Sequence, residues 1–145
     1  MQIEGEWLLC DDGASRPAIL VQVAGDSGRT FSEHFLVDTL ADNSVLSAFL
    51  LNRLNLATQP APAGLSLQGI SGASPFVMVV TSLDLPCADG GPATIRGTFA
   101  AFTDPAATDL SILGRDVLDH FDVIVSRRRN QVLLLAGNHQ YQVVL

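Results

Sequence analysis

A chain of 145 residues has room for one domain with a sizeable core and not for two ordinary ones. Hydrophobic residues make up 48% and charged residues 16% of it, which excludes a disordered tail and fits a folded, compact protein. A net charge of −7 with only eight basic residues excludes a nucleic-acid backbone as partner, because that affinity comes from Lys and Arg neutralising phosphates.

The first residues, MQIEGEWLLCDDGASRP, hold two early acids and no apolar run long enough for a signal peptide or a membrane span. Cys10 and Cys87 lie far apart without C-x-x-C spacing, so neither a zinc site nor a disulfide framework is indicated. Reduced thiols and a cytoplasmic location are expected. Asp11, Asp12 and Gly13 begin like a calcium loop, but the further acidic ligands do not follow, and a turn is the reading.

Short Val-, Ile- and Leu-rich runs punctuated by Gly, Pro, Asn and Asp mark a mainly β domain. Strands are predicted at 17–24, 30–37, 65–69, 75–84, 93–102, 110–113, 121–127, 130–136 and 140–145. After the second of these, Asp42, Asn43 or Ser44 can cap a helix whose apolar positions Val45, Leu46, Phe49, Leu50 and Leu54 recur at helical spacing. The Pro- and Ala-rich segment 57–64 reads as a surface connection. A short helix is predicted over 114–120. Asn130 tolerates the left-handed conformation of a tight turn, so 121–136 reads as a hairpin with Arg127, Arg128 and Arg129 as a solvated turn. No solenoid or propeller repeat is visible.

Asp38 ends the apolar stretch Phe35, Leu36, Val37, and a carboxylate there is costly unless hydrogen-bonded. A helix cap or turn acid is the simplest role for it. Three stretches taken in order add another. FLVDTLADNSVLS resembles the active-site segment of retropepsin-like aspartic proteases, with Asp38, Thr39, Ala41, Asp42, Val45, Leu46 and Ser47 on the pattern. ILGRDVLDHF is similar to that family's second signature through Ile112, Leu113, Gly114, Arg115, Asp116 and Leu118. Between them, LQGISGASPFVMVV is similar to its flap hairpin, with Gly69, Ile70, Ser71 and Gly72 at the tip and the flap spanning about 65–80. The continuation beyond the short helix resembles the cellular and bacterial members more than the viral ones.

The resemblance implies a single retropepsin-like domain over 1–145: a mainly β acid-protease half-barrel with a flap and one or two short helices. It implies an aspartic endopeptidase without cofactor or metal, acting on a peptide or protein substrate. Two carboxylates held close share one proton, so that one activates water while the other protonates the carbonyl oxygen. One chain supplies a single Asp38, and the second comes from another copy, giving a homodimer with the site on its two-fold axis. By the same resemblance Thr39 bonds across that axis, Arg115 reaches back to Asp42, and flap amides near Ile70 to Gly72 bind an extended substrate. The strand around Trp7 reads as core or as part of the dimer interface, and the C-terminal hairpin is expected to build much of the dimer sheet, since a bare apolar edge aggregates.

The chain departs from the family at Leu40, where the family has glycine. Leucine keeps the N–H that donates to the carboxylate, but adds a side chain and narrows the choice of φ. Either Leu40 reshapes a subsite of a working protease, or it blocks the cleft and leaves a catalytically impaired dimerisation or peptide-binding module. Other constellations fall away. GISGASP contains a glycine-x-serine pattern, but Pro75 argues against the helix a serine nucleophile elbow needs. His34, His120 and His139 stand apart from one another and from the cysteines at spacings that suit no metal.

Overall fold

The structure, a computed structural model, describes residues 1–69, 72–106, 110–137 and 142. The expected flap tip residues Ile70 and Ser71, the expected last strand 140–145 apart from Gln142, and His139 lie outside them.

Alternation of apolar and polar residues drives β3 (Ser15–Ala24) and β4 (Thr30–Val37) into an antiparallel pair, with Ile19 opposite Phe35. Along β3, Ile19, Val21 and Val23 are buried while Leu20 and Gln22 face outward, the period of two that a sheet with one solvated face requires. Strands β9 (Phe76–Leu85) and β10 (Ala93–Phe102) form a second full-length antiparallel ladder. Two short strands, β5 (Val45–Leu46) and β11 (Ile112–Leu113), bridge the ladders, β11 running parallel to β4 and β5 parallel to β10. Pairing of Gln22 with Asp84 and Val23 with Leu83 joins β3 to β9 and closes the sheet on itself. Strand β2 (Glu6–Leu9) adds to β3, and β6 (Thr58–Pro60) adds to β9.

The closed sheet wraps a core of Ile19, Val21, Phe35, Leu46, Leu83 and Leu113. Four consecutive residues at the end of β10, Phe99 to Phe102, are all buried, because both faces are covered there. Phe99 and Ala101 face the main core, whereas Ala100 and Phe102 face a second cluster with Val45, Ala48, Leu67 and Met78. Strands β7 (Leu67–Gly69) and β8 (Gly72–Ser74) pair antiparallel as a separate two-stranded ribbon, and Leu67 packs against that second cluster.

A separate three-stranded sheet, β1 (Gln2–Glu4), β13 (Gln131–Leu135) and β12 (Asp122–Ser126), carries Ile3, Val132 and Leu134 into the main core. Within it, among the described residues, β13 is paired on both sides in the same chain, and β1 and β12 are the edge strands. Of the C-terminal hairpin expected to build an intersubunit sheet, β12 is the strand left at an edge among the described residues. Asn130 turns the hairpin at φ 53°, and Arg127 lies over the Trp7 ring at 5.2 Å, whose Nε1–H donates to the Ser126 carbonyl at 3.3 Å. Trp7 thus links β2 to this hairpin inside one chain.

Three expectations are corrected. The helix after the Asp38 segment does not begin at Asp42, Asn43 or Ser44: Val45 and Leu46 are strand, and α1 (Ala48–Leu54) starts at Ser47, whose Oγ accepts from the Leu50 N–H at 3.1 Å. Ser44 is taken by another partner, described below. Phe49, expected on the apolar face, is 66% exposed, while Leu50 and Leu54 are fully buried. The segment 57–64 is not all connection, since Thr58–Pro60 pairs with β9 at the sheet edge, a place where proline is tolerated. Helix α2 (Arg115–Leu118) falls within the predicted 114–120. Among the described residues no helix is long and apolar enough to cross a membrane.

Adjacent residues of α1 give a direct check on this placement. Leu50→Ala is expected to cost about 2–5 kcal/mol as a core truncation, and Phe49→Ala no more than about 0.5–1 kcal/mol as a surface change. Urea unfolding of the two variants measures both; similar losses would contradict the placement.

Candidate active site

Parallel pairing with β11 carries the chain past Val37, and the Asp38 N–H donates to the Leu113 carbonyl at 3.1 Å. The backbone then turns: the Ala41 N–H donates to the Asp38 carbonyl at 3.3 Å, and the Leu40 N–H donates to Asp38 Oδ1 at 2.9 Å. An aspartate whose carboxylate bonds the amide two residues on is a standard way to fix such a turn. Asp38 is half-buried, and Thr39 is exposed.

Leu40 adopts an ordinary backbone conformation, since among the described residues the non-glycine positions with positive φ are Ser27, Asn55 and Asn130. The conformational freedom of glycine is therefore not needed at position 40. Its side chain is 91% exposed and stands over a cleft of about 330 Å³ with Asp38, Val45, Leu67, Phe102 and Ile112 among the lining. The lining mixes these apolar side chains with Asp38, Asp42, Asn43 and Ser66, and Leu65 to Leu67 bring the start of β7 to it.

The loop is locked from outside by the segment that follows β11. Gly114 packs against the backbone of Asn43 so closely that a Cβ there would sit 2.5 Å from the Asn43 carbonyl carbon and 2.9 Å from the Ala41 carbonyl oxygen. This contact lets the Arg115 N–H donate to Ala41 O at 2.8 Å and the Asp116 N–H donate to Asp42 O at 3.2 Å. The Arg115 guanidinium pairs with the Asp42 carboxylate, which raises the arginine pKa further above its already high ordinary value. Both side chains of that pair are more than half exposed, and an exposed ion pair adds little stability.

Asp116 does more for the lock. Its Oδ1 accepts from the Ser44 N–H at 2.9 Å and from the Ser44 hydroxyl at 2.6 Å, and Ser44 Oγ in turn accepts from the Gly114 N–H at 2.9 Å. Ser44 is fully buried, so these bonds replace water that cannot reach it. Sequence reasoning placed Asp116 on a motif without giving it a task, and assigned Ser44 to a helix cap. A motif acid facing a buried hydroxyl 72 residues away leaves no local signal.

A second network was also missed. Glu33 accepts from the Ser47 hydroxyl at 3.0 Å and from the Ser111 hydroxyl, and Ser111 Oγ accepts from the Ser47 N–H at 2.8 Å. It ties β4 to the start of α1 and to the residue preceding β11. Among the described residues no three His, Cys, Asp or Glu side chains cluster as metal ligands.

Weights can be put on these contacts. Asp116→Ala, which leaves the buried Ser44 groups unpaired, is expected to cost about 1–3 kcal/mol, and Gly114→Ala about 1–3 kcal/mol through the backbone clash. Arg115→Ala is expected to cost less than about 1 kcal/mol. Chemical denaturation ranks the three; an Arg115 effect equal to that of Asp116 would reverse the assignment.

No family model and no curated protein matches this chain. Among solved structures, a retropepsin-like aspartic protease from Rickettsia conorii superposes with a TM-score of 0.53 at 14% identity, over 92% of this chain and 89% of that one. The EIAV protease complexed with the inhibitor HBY-793 aligns at 25% identity and a TM-score of 0.49, over 72% of this chain and 86% of that one. The retroviral protease-like domain of Ddi1 from Leishmania major aligns at 16% identity and a TM-score of 0.45, over 85% of this chain and 98% of that one. With its closed sheet and two short helices, the chain has the retropepsin-like fold.

Proposed function

We propose that the protein is an aspartic endopeptidase of retropepsin type, built from one domain over 1–145 and working as a homodimer in the cytoplasm. The observation that carries this reading is the setting of Asp38: half-buried, its Oδ1 accepting from the Leu40 N–H, and lining a cleft together with Val45, Leu67, Phe102 and Ile112. The other acids of the loop region are committed elsewhere, Asp42 to Arg115 and Asp116 to Ser44. A pair of carboxylates sharing a proton then calls for Asp38 of a second copy. One Asp38 takes a proton from water as it attacks the peptide carbonyl, and the other, protonated, donates to the carbonyl oxygen. Thr39 supports the pair across the axis, Ala41 and Asp42 hold the loop through Arg115, and Gly69 to Gly72 of the flap cover an extended peptide or protein substrate. The reading needs no cofactor, metal, nucleic acid or membrane.

A second reading has its own observation. The Leu40 side chain, 91% exposed over the cleft, fills space that a glycine would leave open, and a module that binds peptides or dimerises without cutting them fits that obstruction.

The two readings separate on peptide cleavage. A mixed peptide library incubated with the purified protein from acidic to neutral pH is expected to be cut, and Asp38→Asn to reduce cutting to background. An excess of the Asp38→Asn protein should also suppress wild-type activity by forming mixed dimers. Absence of any Asp38-dependent cleavage would sink the protease reading, and cleavage gained only in Leu40→Gly would favour the second one.

A further inference from the structure

A groove of about 420 Å³, larger than the candidate cleft, opens on the other side of the segment 110–112. Leu110 and Ser111 face this groove, while Ile112 faces the cleft. The rest of its wall includes Leu8, Asp11, Glu33, His34 and Phe49. A smaller hollow of about 290 Å³ adjoins it, sharing Leu8, Asp11 and Leu110 and adding Leu9.

Two properties of this surface stand out. Bulky apolar side chains are left in water around it: Leu9 is 70% exposed, Phe49 66% and Leu110 37%. Grouped exposure of that kind marks interaction sites more often than chance scatter does. Acids outnumber cations in the lining: Asp11 and Glu33 stand beside His34 in the groove, and Asp12 beside Arg16 in the adjoining hollow. Glu33 is held by two serine hydroxyls, which fix its direction without neutralising it, and no ion pair among the described residues compensates Glu33 or Asp11. The ring of His34 is turned to Glu6. Nearby arginines are occupied: Arg16 is bound through both nitrogens by Asp12, and Arg53, stacked on Phe31 and Phe49 at 4.8 and 5.5 Å, does not line the groove. The whole chain carries −7 and draws all its positive side-chain charge from eight arginines.

We propose that this groove docks a basic peptide segment in which lysine or arginine alternates with bulky apolar residues. The cation would sit between Asp11 and Glu33, where a rigidly held carboxylate offers directed acceptors. The apolar neighbours would cover Phe49, Leu110 and Leu9. An aromatic anchor beside a charged rim is the composition in which interface energy concentrates. Because Leu110 and Ser111 line the groove and the next residue, Ile112, lines the cleft, the occupant is a distal stretch of the same polypeptide that enters the cleft; this last step rests on the protease reading above.

The test separates the two. Calorimetric titration of the Asp38→Asn protein with a decapeptide alternating arginine and leucine, and with its glutamate counterpart, reads docking without cleavage. The basic peptide is expected to bind, the acidic one not, and Asp11→Asn combined with Phe49→Ala to weaken binding about tenfold. Asp122→Asn, which removes an exposed acid from β12, should leave binding unchanged. The proposal is overturned if the basic peptide does not bind, if the acidic peptide binds equally, or if the Asp11 and Phe49 changes weaken binding no more than Asp122→Asn. Binding that follows the groove residues in a protein that cuts nothing would remove the protease reading and leave the docking site in place. In a cleaving protein, a substrate extended with the basic segment should show a lower KM at unchanged kcat, and the groove variant should lose that advantage.

Discussion

Backbone contact between Gly114 and Asn43 is the constraint on which the candidate site depends. With a Cβ excluded by a 2.5 Å approach, two segments far apart in sequence lie close enough for main-chain amides to pair directly. The Arg115 and Asp116 N–H groups then reach the Ala41 and Asp42 carbonyls. These bonds leave the Asp38 turn little room to move, because both its exit and its support are fixed by groups that have no rotamers. Side chains add to a position the backbone has already set. Their contributions differ, however: the exposed Arg115 to Asp42 pair is screened by water, while the Asp116 to Ser44 pair satisfies a fully buried hydroxyl and would leave it desolvated if broken.

The same crossing explains the short strands. After Ser44, which is bonded inward to Asp116, Val45 and Leu46 lie between β11 and β10, Val45 pairing with both strands and Leu46 with β10. They close the gap between two long ladders and place Leu46 in the main core and Val45 at the cleft. Ser47 can then cap α1 because the chain leaves the sheet there. Its hydroxyl also reaches Glu33, which joins the helix start to the strand that delivers Asp38. Core, helix and loop are therefore held by one connected set of contacts, and loosening Ser44 reaches all three.

Much of this was legible in the chain. Strands β3, β4, β9 and β10 announce themselves by apolar runs set between Gly, Pro, Asn and Asp, and the hairpin at Asn130 by its turn residue. What escaped was decided by distant partners. Val45 and Leu46 sit in a run whose apolar spacing suits a helix equally well, and only pairing with Ala100, Ala101 and Ile112 makes them strand. Thr58–Pro60 has a loop composition and becomes strand because β9 offers an edge. Phe49 follows the helical pattern but faces outward, since the shorter helix begins three residues later than Ser44 and turns a different face to the core. Serine and acid side chains at positions 33, 44, 47, 111 and 116 carry no local sign that they meet.

Leu40 has a physical meaning beyond its departure from a motif. Its backbone is unstrained and its N–H serves the Asp38 carboxylate, so the turn tolerates leucine without loss. The side chain, 91% exposed, nevertheless keeps in water an apolar surface whose full burial is worth about 1.5–3 kcal/mol. A glycine at this position would offer none of that surface. Any body that covers the cleft, whether a peptide or a second copy of the chain, gains that burial and at the same time removes water from the Leu40 to Asp38 hydrogen bond, which strengthens it. The residue that departs from the motif is therefore also one whose burial favours covering the cleft.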